Sequence, residues 1–434
     1  MKASLIVVSR GRPDLLARAV TAIRQQDHPC FELVVVADAP GLAALPDLPI
    51  KRVAFDAPNI SAARNAGIVR SAGEVVAFLD DDAVPEPTWL SRLVAPFENA
   101  RVVASGGFVR GRNGISFQWR AAAVDRCGID HPLAVDPQGV TLCAPRGDLV
   151  PRVQGTCAAF RRKSLLSVGG FDPAFRFYLD ETDLCRRLGP AGLTAIVPLA
   201  QVHHGFAAGP HRRADRVPAS LFEIGASSLV FLRRHAAVSD WPEAVAALRT
   251  SQRLRLVRHM VSGRLEPGDV RRLMRTLDAG LEEGRSRPLA PLAPLPDTGP
   301  PFLHFPGTGP RPGRVLGGSP VLGRKLLAEA RKAVAEGCVV TLFLLDATAR
   351  PHRHAFHPDG FWLQSGGLFG PALRDGPRLR LRSRRQRIAE EQLRLSETRP
   401  INFCGNRSNC GNFPYRHQIA DTSPLYGAAR SNSV

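Results

Sequence analysis

Three short apolar runs in the first 80 residues constrain this chain most. Ser4 to Val8, Leu33 to Ala37 and Val75 to Leu79 are continuous rather than alternating, as strands buried on both faces of a parallel sheet are. Pro13 stands at a first helical position, and Leu15, Leu16, Val20 and Ile23 then recur at helical spacing. A further helix fits residues 59–71, stopped at Gly73. Strand, helix and strand in this order make the βαβ unit of an α/β fold.

Each run ends in polar residues: Ser9-Arg10-Gly11-Arg12, Asp38, and Asp80-Asp81-Asp82. Ligands of open α/β sheets bind beyond the carboxyl ends of the strands. Three adjacent carboxylates repel one another, so a cation should compensate them. A hard divalent cation does so and commonly bridges carboxylates to substrate phosphates. Taken alone, the triplet also fits an exposed acidic turn before the helix that follows Pro85.

Apolar structure resumes at Gly155 to Phe160 and Leu165 to Phe171. Asp180 to Leu188 reads as a helix, and Ala195 to Val202 as a strand ending at His203-His204. Residues 215–283 look helical, and 286–320 are dense in Pro and Gly, as a linker is. A smaller α/β pattern follows, with a helix over Leu322 to Ala335 and strands over Cys338 to Leu345 and Phe361 to Leu363. The last residues lack apolar periodicity and are expected to be disordered.

The formal charge of +19 suits an anionic partner, whether nucleic acid, membrane surface or phosphorylated substrate. Arginine is scattered over every segment, which fits compositional bias equally well. The run Arg374 to Arg387 lacks interleaved aromatics, so nucleic-acid binding is not expected. That run fits a solvated helix face or contact with anionic head groups. His352, His354 and His357 have no neighbouring cysteine or carboxylate cluster that would complete a zinc site, and read as a basic loop. Gly366-Gly367 is too common a pattern to use alone.

No apolar run has the length of a membrane span, and the N-terminal run is too short and too charged for an export signal. Eight cysteines lie far apart without metal spacing, as reduced thiols. These features together point to a cytoplasmic protein, soluble or attached peripherally at the inner face of the membrane.

SLIVVSRGRPDLLARAVTAI, ELVVVADAPG, NISAARNAGI and VVAFLDDDAVPEPTWL resemble successive blocks of family 2 glycosyltransferases. The resemblance continues through GTCAAFRRKSLLSVGGFD and YLDETDLCRRL to VHHG, over residues 1–206. It implies a GT-A fold, a Rossmann-like mixed sheet that binds a nucleotide-diphosphate sugar. The expected organisation is a GT-A domain over 1–206, a helical extension over 207–290 and a linker over 291–320. A small α/β unit over 321–395 and a tail over 396–434 complete it.

By this resemblance Ser9 and Arg12 meet the nucleotide, Asp38 receives a base imino hydrogen, and Arg64 contacts ribose or diphosphate. Asp80 and Asp81 face ribose and metal, Asp82 ligates the metal (Mn or Mg), and Gly155 lies where backbone approaches the donor. Of the histidine pair, His203 aligns best with a metal-proximal histidine. Two departures touch the nucleotide: the first loop reads Ser9-Arg10-Gly11 where the family commonly has Thr-Tyr-Asn, and Asp38 stands alone where two acidic residues are usual.

The second chemical site is Asp180-Glu181-Thr182-Asp183, where the family places its catalytic base. Glu181 is the first choice and Asp180 the second, because an acceptor hydroxyl attacks well only when a carboxylate takes its proton. The pair also suits a helix N-terminus by charge alone. Asp183 reads as structural. The expected reaction is inverting, metal-dependent transfer of a sugar to the hydroxyl of a glycan or lipid-linked acceptor. The alternatives are a sugar nucleotidyltransferase, or a catalytically decayed protein that binds lipid or another anionic ligand.

Overall fold

The computed structural model describes residues 1–307 and 309–401. The three expected runs form β1 (Ala3–Ser9), β2 (Phe31–Ala37) and β4 (Val75–Asp80), the expected helices form α1 (Pro13–Ile23) and α3 (Ile60–Arg70), and a helix and a strand not expected, α2 (Ala39–Ala43) and β3 (Ile50–Ala54), lie between β2 and α3. Asn59 caps α3 by accepting from the Ala62 amide at 3.0 Å, and Pro13 opens α1. All pairings among these four strands are parallel.

The chain continues through β5 (Ala83–Pro85), α4 (Trp89–Val94), β6 (Val102–Arg110), β7 (Phe117–Trp119), β8 (Ala122–Val124), β9 (Asp130–Pro132), β10 (Thr141–Cys143) and β11 (Val150–Arg152). Then come β12 (Ala158–Arg161), α5 (Arg162–Ser167), α6 (Asp180–Leu188) and β13 (Leu193–His204). The main sheet runs β10-β13-β6-β12-β4-β1-β2-β3, with β5 added to β13 and β7 to β6. Because β12 lies antiparallel between β4 and β6, the sheet is mixed. Alternate residues of each strand face opposite layers. Leu5, Val7, Leu33 and Val35 pack with Leu16, Val20 and Trp89 on one side, and Ile6, Val34 and Val36 with Ile68, Phe160 and Phe171 on the other.

Three helices, α7 (Phe222–His235), α8 (Trp241–Val261) and α9 (Pro267–Ser286), occupy the stretch expected to be helical, α9 running past its expected end at residue 283. α7 and α9 touch backbone to backbone: a Cβ on Gly280 would lie 2.0 Å from the Phe222 carbonyl oxygen, so only glycine fits.

The expected linker is packed rather than free. Its amides at Leu295, Leu303 and Phe305 donate to the Leu166 carbonyl, Glu32 Oε2 and the Phe31 carbonyl at 2.9, 2.9 and 2.8 Å. Phe305 is fully buried and stacks on Phe31. Proline-rich chain has carbonyls and apolar rings to offer a groove even where it lacks amides. The second sheet also begins earlier than expected, with β14 (Gly313–Gly318) inside that stretch. α10 (Gly323–Ala335), β15 (Val339–Asp346), β16 (Arg353–Phe356), β17 (Trp362–Gly367) and α11 (Arg384–Leu395) complete it, in the order β14-β15-β17-β16. The described residues form one compact body, in which the second sheet with α10, α11 and the residues up to Arg399 is the second, smaller unit. Of the tail expected beyond 396, residues 402–434 lie outside the described residues.

Among the described residues no helix is long and apolar enough to cross a membrane. The six described cysteines are free, and Cys404 and Cys410 lie outside the described residues.

Candidate functional site

At the carboxyl end of β4 the three aspartates diverge, as successive side chains leaving a strand must. Asp81 is buried and turns to the first loop, accepting from Ser9 Oγ at 2.7 Å and pairing with Arg12 at 2.9 Å. Burial pushes its carboxyl up to about 7, against the pull of Arg12 and Ser9. Asp80 and Asp82 turn the other way, where one ligand atom from each lies within 4.8 Å of the other and of a His204 ring nitrogen.

Asp82 is held firmly. Its Oδ1 lies 3.0 Å from His204 Nε2, and its Oδ2 accepts from the Ala207 amide at 2.7 Å. Burial would raise its carboxyl, but His204 and then the Ala207 amide outweigh burial and keep it well below the usual range. The other nitrogen of His204, Nδ1, is 2.9 Å from Gln118 Oε1, an outer partner that orients the ring. Two carboxylates and an imidazole suit a divalent cation.

His203, the ligand expected from the sequence, is not in this cluster. Adjacent strand residues face opposite ways, and His203 points into a buried network. Its Nε2 lies 2.8 Å from Glu86 Oε1, and its ring packs on Trp362 with centroids 5.0 Å apart. Arg399, at the end of the second unit, grips both oxygens of Glu86 at 2.5 and 2.7 Å. Burial would raise Glu86, but Arg399 and His203 hold it down at about 2. Burial lowers the pKa of His203 and favours its neutral ring.

Arg64 links Asp80 to the second acidic site. It is buried, ion-paired to Asp180, and within 3.3 Å of Asp80 Oδ1. The rings of Phe78 and Phe171 flank it. Burial would lower its pKa, but Asp180, Asp80 and Glu181 outweigh that and keep it charged. Gly155 lies against this guanidinium: a Cβ there would sit 2.8 Å from Nη2, so glycine makes room for Arg64.

The chain reaches Asp180 through two left-handed residues, Tyr178 (φ 77°) and Leu179 (φ 64°). Such backbone persists only where surroundings fix it. Ser61 and Ser227 do so by donating to the Phe175 and Phe177 carbonyls at 2.6 and 2.7 Å. Asp180 then faces Arg64, while Glu181 points toward Arg152, 3.8 Å away. Burial and then the charge of Asp180 push Glu181 up to about 7, against Arg152 and Arg64. Asp183 is fully buried and binds His235 at 2.9 Å and Arg187 at 2.7 Å, tying α6 to α7.

Asp38 caps α2 through the Gly41 amide at 3.1 Å and receives the Gly11 amide at 2.7 Å. Both of its oxygens are engaged by backbone, and through Gly11 it shapes the first loop. Sequence reading missed Gln118, Glu86 and Arg399. Glu86 stands inside the block VVAFLDDDAVPEPTWL but without a role there, Gln118 and Arg399 lie in no motif, and Arg399 is 313 positions from its partner.

Residues 4–169 match the model of glycosyl transferase family 2. The O-antigen biosynthesis protein RfbC of Myxococcus xanthus is 31% identical over 236 residues, which are 50% of this chain and 18% of that protein. The chain thus spans about a fifth of that relative's length. The uncharacterized glycosyltransferase YwdF of Bacillus subtilis is 25% identical over 222 residues, 50% of this chain and 78% of that protein. A mannosyltransferase of Pyrobaculum calidifontis, solved with GDP-Man and Mn2+, aligns with a TM-score of 0.39 at 19% identity, covering 65% of this chain and 87% of that one. Residues 4–169, which build most of the mixed main sheet, thus resemble glycosyl transferase family 2.

Proposed function

We propose that the protein transfers a sugar from a nucleotide-diphosphate donor to an acceptor hydroxyl, with inversion and with the help of a divalent metal. The observation that carries this reading is the continuous chain of charge from Asp82 and His204 through Asp80 and Arg64 to Asp180 and Glu181. It joins a cation site to a carboxylate poised to accept a proton.

Asp80, Asp82 and His204 would hold the metal, which when bound neutralises charge on the departing diphosphate. Ser9, Arg12 and Asp38 border the nucleotide at the ends of β1 and β2. Arg64 stays charged and stabilises the same leaving group from the protein side. Glu181, raised toward neutrality, takes the acceptor's proton as the new bond forms. Asp180 fixes Arg64 and raises Glu181, which makes it a positioning residue rather than the base.

The names of several relatives, among them a glucosyl-dolichyl phosphate glucuronosyltransferase of Haloferax volcanii, support an acceptor borne on a lipid phosphate. The protein's basic surface would suit such an acceptor at the cytoplasmic face of a membrane.

The test is a thermal-shift panel of nucleotide sugars, with and without manganese, on the parent and on Asp82→Ala. A donor at about 100 times its dissociation constant stabilises by about 2.7 kcal/mol. The reading requires a manganese-dependent shift in the parent that Asp82→Ala loses; equal shifts in both proteins would defeat it.

A further inference from the structure

A cavity of about 600 Å³ opens beside the loop that follows His204, and the reaction above does not use it. Arg112 and Arg216 of the N-terminal half and Arg353 and Arg374 of the second unit line it, and no aspartate or glutamate does. Its shape is fixed by backbone: the amides of His354 and Arg374 donate to the carbonyls of Asn113 and Ile115, each at 2.9 Å.

The four cations have few partners. Arg112 uses Nε and Nη2 on the carbonyls of Gly205, Phe206 and Ala214, and Nη1 has no hydrogen-bond partner among the described residues. Among the described residues the Arg216 side chain stacks on Phe206, 4.2 Å from the ring centre, and makes no hydrogen bond or ion pair. The side chains of Arg353 and Arg374 make no hydrogen bond or ion pair among the described residues. Burial and then the neighbouring Arg112 lower the pKa of Arg216, the mark of a cation short of counter-charge.

The cavity adjoins the reacting centre. Gln118, which lines it, holds Nδ1 of the imidazole whose Nε2 faces Asp82. A donor diphosphate at the metal side would lie across that ring, so an anion in the cavity is a second one. Guanidinium forks match phosphate oxygens, and four of them exceed what one carboxylate needs. We propose that this cavity is a subsite for a phosphate or diphosphate group carried by the acceptor. Its assignment to the acceptor rests on the transferase reading; the binding of an anion there does not.

The probe is inorganic pyrophosphate without divalent metal, titrated calorimetrically into the full chain. The parent is compared with Arg353→Glu/Arg374→Glu, and with Arg324→Glu/Lys325→Glu on the exposed start of α10 as an equal change of charge elsewhere. The cavity variant should bind about tenfold or more weaker while the control matches the parent. Arg353→Ala/Arg374→Ala repeats the test if the glutamates prevent folding.

A second arm uses phosphatidylcholine vesicles with and without phosphatidic acid. Cavity-specific loss in the vesicle arm alone assigns a lipid-borne phosphate, and loss in the pyrophosphate arm assigns the free group. Loss in neither arm, or equal loss in the charge control, overturns the subsite. Manganese-dependent donor shifts should be equal in parent and cavity variant. Their absence from the parent would sink the transferase reading and leave the anion result standing.

Discussion

His203 and His204 are neighbours on one strand, yet the two sides of β13 that they face are built on opposite principles. On the His204 side, Asp80 and Asp82 converge on an imidazole, and the only cation that an ion pair brings to Asp80 is Arg64, itself shared with Asp180 among the described residues. On the His203 side, Glu86 is matched in full by Arg399 and a neutral histidine, sealed under Trp362. The first side gathers three ligand atoms within 4.8 Å of one another, which a cation can use. The second is closed, and its charges serve to hold the second unit on the first. Proximity in sequence thus says little about whether a polar residue is for chemistry or for assembly; the balance of charge around it does.

The sharpest way to break this contrast is Glu181→Gln. Turnover at saturating donor should fall by about 100- to 10,000-fold, with donor affinity by calorimetry unchanged. Asp180→Asn should cost less if Asp180 only positions Arg64. If Asp180→Asn is inactive and Glu181→Gln near-parental, the base has been assigned to the wrong member of the pair.

On the closed side the expected effect is on stability. Arg399→Ala leaves Glu86 buried with His203 as its remaining side-chain partner and without a fixed cation, which costs about 3–5 kcal/mol. Arg399→Ala with Glu86→Gln should regain part of it, read by urea denaturation. Ending the chain near residue 290 removes Arg399, Trp362 and Phe305 together, so that fragment should melt well below the parent. A fragment as stable as the parent would show that the second unit is a passenger.

Between these two lie the histidines. Gln118→Ala should weaken manganese affinity by about tenfold or more through a loosened His204, and His204→Ala should do at least as much. His203→Ala should lower the melting temperature with little change in manganese affinity. The reverse pattern, by calorimetric titration of the metal, would restore His203 as the ligand.

The smallest effect is on pH dependence. With Glu181 raised to about 7, turnover should climb through a limb near pH 7 that Glu181→Gln lacks. Folded Glu181 binds its proton more tightly than the unfolded chain does. Its contribution to stability is therefore full below about pH 4.5 and declines as pH rises through about 7. Glu181→Gln should flatten that slope in denaturation curves taken across this window.

Residues close in sequence determined much of the fold and half of the site. Ser4 to Val8, Leu33 to Ala37 and Val75 to Leu79 declare buried parallel strands because apolar continuity is a local property. The aspartate triplet and the Asp180-Glu181 pair draw attention from sequence alone because like charges placed side by side need an explanation wherever they fold. What the sequence left open is what depends on parity and on distance. β13 slips register between Val197 and Gln201, so counting alternate residues from its start cannot say which histidine faces Asp82. That Asp38 caps α2 and receives the Gly11 amide, and so shapes the first loop, is not written in its local sequence. The Pro-rich stretch looked like a free linker until Phe305 found Phe31, and Glu86 acquired its meaning only from Arg399. Those pairings join residues hundreds of positions apart, and packing of the complete chain, not local pattern, brings them within hydrogen-bonding range.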